Sequence, residues 1–128
     1  MKQKDLLYWV LVAIGVITVV SGAVQLVAPG FILGMMSAPT DAAGRHFFGT
    51  VGMFMVLFGG LLVHALASPA HHPVALLWAG FQKFGATAAV GLAVLRGLLS
   101  PLALGVALFD LGSGLLIFWY WLTVRRAP

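Results

Sequence analysis

Only 10 of the 128 residues are charged, while 62% are hydrophobic and the net charge is +4. That charged share, 8%, is far below the roughly 25% of an average soluble domain, and a small soluble domain must cover much of its surface with polar groups. The composition excludes a soluble globule and, through its hydrophobicity, a disordered chain, which leaves an integral membrane protein.

Four apolar segments are long enough to cross a bilayer, which takes about 20 residues. They fall near 6–28, 46–67, 74–97 and 101–124. The expected fold is therefore all-α, an integral membrane four-helix bundle, with residues 1–128 forming a single four-span transmembrane domain. The first segment starts after Lys2 and Lys4. Its apolar run is longer than the roughly 7–15 residues of a signal-peptide core, so it reads as a retained helix. Pro29 and Gly30 end it. The patch Phe31–Met36 is too short to span and reads as an interfacial or re-entrant segment or as a loop packed on the bundle. Pro39 and Thr40 precede the second segment, with Thr40 as its expected N-cap. Ser68-Pro69 through Pro73 separates the second from the third, and Ser100-Pro101 makes a tight turn before the fourth.

Basic residues stand at the ends of these segments, which is the membrane-flank pattern rather than a phosphate-tracking stripe. No nucleic-acid partner is expected. Lys2, Lys4, Arg125 and Arg126 flank one side, Arg45 and Arg96 the other. The balance places both termini in the cytoplasm, with a bacterial inner (plasma) membrane as the expected location. Trp9, Trp78, Trp119, Tyr120 and Trp121 form an aromatic belt on the terminal side. There is no Cys, so disulfide, thiolate–metal and cysteine-redox chemistry are excluded.

Small and polar residues recur at helical spacing. In the first segment these are Gly15, Thr18, Gly22 and Gln25; in the second, Arg45, Gly49, Gly52, Val56, Gly59 and Val63. Such spacing marks a helix–helix seam and starts Arg45 on the inward face. Asp41, four residues earlier, is placed to pair with it. Lys83 lies roughly 14 Å into the third segment and Asp110 roughly 15 Å into the fourth, counted at 1.5 Å per residue from opposite sides. In a core about 30 Å thick these depths nearly coincide. Consecutive segments are neighbours, so Lys83 and Asp110 are expected to form a buried ion pair, serving either to fix helix register or to relay a proton or ion.

Together these residues suggest a polar pocket opening away from the termini, walled by Gln25, Arg45, His46, Lys83 and Asp110. The bland alternative is a bundle glued by small residues and hydrogen bonds. His64, His71 and His72 gather on the other face without an HxxxH or carboxylate pattern, so no metal site is expected. No phosphate-cradling loop and no nucleophile–base set is evident, so no catalytic residues are assigned.

The layout resembles the DoxX-like small membrane proteins. The resemblance rests on Ser21-Gly22-Ala23-Val24-Gln25-Leu26 followed by Pro29-Gly30-Phe31, a long first loop, Arg45-His46-Phe47-Phe48-Gly49, then Lys83 and Phe109-Asp110. It implies either a subunit of a quinone-linked oxidoreductase or an accessory membrane factor. The first expectation is a non-catalytic membrane protein that binds a small ligand or a lipid or quinone headgroup, with Arg45 as the anion contact, or that acts as an accessory subunit. Its expected partners are the lipid bilayer and either a membrane protein or a second copy of itself. Alternatives are a small transporter or channel and a non-catalytic redox-enzyme subunit.

Overall fold

The computed structural model describes residues 2–126. The fold is all-α, but it is not the expected four-helix bundle. Among the described residues five helices form: α1 Leu6–Val27, α2 Pro29–Met35, α3 Ala42–Ala67, α4 Pro73–Leu95 and α5 Ala103–Val124. The additional helix arises at Pro29. Proline cannot extend α1, but its fixed φ suits the first position of a new helix, and α2 starts there. Three helices, α1, α3 and α5, are long and apolar enough to cross a membrane. The segment expected at 74–97 is helical as α4 but is not among those three, because Gln82 and Lys83 interrupt its apolar run.

Helix starts follow local chemistry. Asp5 caps α1, its side chain accepting from Tyr8 N–H at 3.0 Å. Asp41, not Thr40, caps α3, its Oδ1 accepting from Gly44 N–H at 2.6 Å. Capping occupies the carboxylate that was expected to meet Arg45. At the end of α4, Gly97 adopts φ +71°, which a residue without Cβ reaches freely. Leu98 N–H then bonds Ala93 O and Gly97 N–H bonds Val94 O, satisfying carbonyls that the helix end leaves open.

The helices form two tight antiparallel pairs, α1 with α3 and α4 with α5. The first pair closes on glycine. A Cβ on Gly22 would stand 2.6 Å from Gly52 O, and a Cβ on Gly59 would stand 2.8 Å from Gly15 O. Backbones this close admit no side chain, as small-residue seams in membranes require. The two pairs dock through a core at the terminal end: Tyr8, Leu11 and Ile14 of α1, Leu62 and Leu66 of α3, Leu76 and Ala79 of α4, Ile117, Tyr120 and Val124 of α5. The start of α1 and the end of α5 therefore lie at one end of the molecule. At the other end, Ser100 N–H bonds Met36 O at 2.9 Å.

The outside is apolar. Val16, Ile17, Val20 and Val24 of α1, Val51, Phe54 and Leu57 of α3, and Leu104, Leu108 and Leu115 of α5 are all exposed. An apolar surface of this extent suits hydrocarbon and not water; the chain is a membrane protein. Trp9, Trp78 and Trp119 are exposed, where belt residues should be. Tyr120 is buried instead and belongs to the core, and Trp121 packs partly against it beneath the Arg125 guanidinium.

Candidate functional site

The inward stripe of α4 is Leu76, Ala79, Gly80 and Lys83, and that of α5 is Ala103, Ala107, Asp110, Ser113, Gly114 and Ile117. This three-and-four spacing holds one face of each helix toward the interior. It brings the Lys83 ammonium to 3.3 Å from Asp110 Oδ1, with both side chains buried. α1 completes the group. Thr18 Oγ1 accepts from Lys83 Nζ at 2.5 Å and donates to Ile14 O at 2.8 Å. The Phe109 ring lies 5.3 Å from the ammonium. One turn further along α4, Thr87 Oγ1 donates to Lys83 O at 2.9 Å. Three helices thus meet at one charge pair. Thr18 was legible as a seam residue but not as the third member of this group.

The five residues expected to wall one pocket lie in three places. Lys83 and Asp110 share the interior group. Gln25 is buried between α1 and α3, its Nε2 donating to Phe48 O at 2.9 Å. Arg45 and His46 are exposed, so Arg45 does not start on the inward face. They line a separate recess of about 400 Å³ with Leu26, Pro29, Gly30, Gly49 and Thr50. The recess sits where α1 gives way to α2 and α3 begins. Gly30 belongs there for a steric reason: a Cβ on it would stand 3.2 Å from the Arg45 side chain. Arg45 donates to Thr40 Oγ1 at 3.2 Å. Among the described residues no carboxylate pairs with it.

The terminal end carries polar contacts that the sequence reading did not anticipate. Lys2 Nζ donates to Ala65 O at 2.6 Å and Leu66 O at 3.0 Å. Tyr8 Oη donates to the same Leu66 O at 3.0 Å. A cation at the last carbonyls of α3 is favoured by the helix dipole. Burial pulls the Lys2 ammonium below its usual pKa. His72 Nε2 and Ser68 Oγ hydrogen bond at 2.8 Å. His71 is held below the usual imidazole pKa, first by burial and then by the charges of Lys2 and His72. The signal in the sequence is the open C-terminal carbonyls of α3 together with a lysine near the chain start that can reach them. Among the described residues no group of three His, Cys, Asp or Glu stands ready to hold a metal ion.

No protein-family model, curated protein or solved structure matches this chain.

Proposed function

We propose that the protein is a non-catalytic, membrane-embedded binding protein for an amphiphile with an anionic headgroup, the DoxX-like reading of its layout. The observation that carries this is the recess in which Arg45 and His46 stand side by side over apolar walls. A guanidinium held by a single hydroxyl keeps its remaining donors for an anion, and the fork geometry of arginine suits phosphate and carboxylate. The start of α3 adds positive dipole potential. Phe31 and Met35 of α2 point outward, so the recess stands beside an apolar surface that a lipid tail can follow. In this reading Lys83 and Asp110 shape the interior and touch no ligand. Both termini face the cytoplasm, in accord with Lys2, Lys4, Arg125 and Arg126 at their shared end, and the protein works beside a membrane partner or a second copy of itself.

The test is the lipid that accompanies the purified protein. Mass spectrometry of the extracted lipid is expected to show anionic species enriched over the surrounding membrane, with the enrichment reduced in Arg45→Gln. Equal lipid composition in both proteins would remove the proposal.

A second reading, transport of a proton or ion, draws on one observation, the buried Lys83–Asp110 pair. Intramembrane charges often mark ion pathways. Proteoliposome flux that vanishes in Asp110→Asn would support it, and absence of flux in the wild-type protein would dismiss it.

A further inference from the structure

A second recess, of about 680 Å³, opens between α3 and α4 beside the turn that joins them. Phe58 and Leu61 of α3 and Val74 and Trp78 of α4 give it apolar walls, and His71 and His72 of the turn stand at its polar end. Three features limit what can fill it. The first is shape: a groove in a membrane protein, apolar along two helices and polar at one end, matches an acyl chain with a headgroup. The second is His71 Nδ1, which is buried with no hydrogen-bond partner. Buried polar atoms are nearly always partnered, so an unpartnered one marks the place of a missing donor or acceptor. The third is charge. The side chains acting on His71 are Lys2 and His72, and Lys2 carries its cation to the adjoining end of α3. The one acidic side chain described at this end, Asp5, is engaged in capping α1 and is not among the charges acting on His71.

We infer that this groove is a second lipid site, holding a chain of an anionic membrane phospholipid along Phe58, Leu61 and Trp78, with the headgroup accepting from His71 Nδ1 once the imidazole turns toward the groove. The site lies at the opposite end of α3 from Arg45 and shares no residue with that recess. The two sites therefore stand or fall separately. Lys2 attracts the anion without displacing its own carbonyl partners, because one ammonium carries three donors.

Native mass spectrometry of the purified protein in neutral detergent, titrated with dodecyl phosphate, tests the inference. Dodecylphosphocholine and inorganic phosphate serve as comparison probes. The groove is expected to bind one dodecyl phosphate, to prefer it at least tenfold over dodecylphosphocholine, and to ignore inorganic phosphate. Leu61→Trp fills the groove and should abolish that binding event, and His71→Leu should weaken it about tenfold. Arg45→Gln should leave it intact, which separates it from any dodecyl phosphate held in the other recess. Val74→Trp fills the same groove from an exposed position on α4 and replaces Leu61→Trp if that variant does not fold. Binding that survives both filling variants overturns the inference. Equal affinity for dodecylphosphocholine, or competition by inorganic phosphate alone, also overturns it, since the groove would then be a general detergent contact or a simple anion site.

Discussion

Lys83 of α4 and Asp110 of α5 meet at 3.3 Å in the protein interior, and Thr18 of α1 accepts a hydrogen bond from the same ammonium. The contact ties the α4–α5 pair to the α1–α3 pair by a polar link above the terminal core. Its strength depends on both charges being present. An ion pair of this kind contributes little over an apolar replacement, whereas removing one partner strands a charge, at about 3–5 kcal/mol. Lys83→Met and Asp110→Leu should each lower stability by that order, and the double variant should recover most of the loss. Equilibrium unfolding in mixed detergent, read as a double-mutant cycle, checks this. Additive losses would show that the two residues are not coupled.

The seam between α1 and α3 makes a second, purely steric prediction. A Cβ on Gly52 would lie 2.6 Å from Gly22 O and 2.7 Å from Leu26 N. These are backbone atoms that cannot swing away. Gly52→Val should therefore separate the helices and cost about 1–3 kcal/mol or more. Gly60 faces open space, and Gly60→Val should be close to neutral in the same unfolding assay.

His71 predicts a pH effect whose sign is fixed. Its pKa in the folded protein lies below the ordinary 6.5. The unfolded chain therefore binds more protons as pH falls through that value, and stability should drop on acidification through and just below 6.5. Above it, His71 is neutral in both states and contributes no slope. His71→Gln should flatten the melting temperature over that window, and an unchanged slope would mean that another group carries it.

Much of the interior was legible because helices impose a period. Gly15, Thr18, Gly22 and Gln25 share one face by spacing alone, and all four are buried. Counting depth from each end of a hairpin was enough to oppose Lys83 and Asp110, since a helix advances by a fixed rise. Arg45 continued the same period on α3 but is exposed. Periodicity says which way a side chain points and not whether a neighbouring helix is there to meet it. Gly49 already packs against the last turn of α1, near Leu26 O and Gln25 O, so one turn earlier Arg45 stands past the end of α1, at the open recess it shares with Leu26, Pro29 and Gly30. α2 was missed as a helix because seven residues are too few to display a period. The polar contacts of Lys2 depend on where the end of α3 arrives in space, over a sequence separation of 63, which no local pattern encodes.

The claim that Arg45 holds an anionic headgroup is tested most directly by the affinity of the purified protein for dodecyl phosphate at the α1–α2–α3 recess, measured in wild type, Arg45→Lys and Arg45→Gln with the α3–α4 groove filled by Val74→Trp. Loss of a charge-assisted contact is worth about 1.5–3 kcal/mol, or roughly tenfold for each 1.4 kcal/mol. Affinity should be at least tenfold weaker in Arg45→Gln and intermediate in Arg45→Lys, and added salt should weaken binding by the wild type. Affinity that is unchanged by Arg45→Gln and insensitive to salt would contradict that claim.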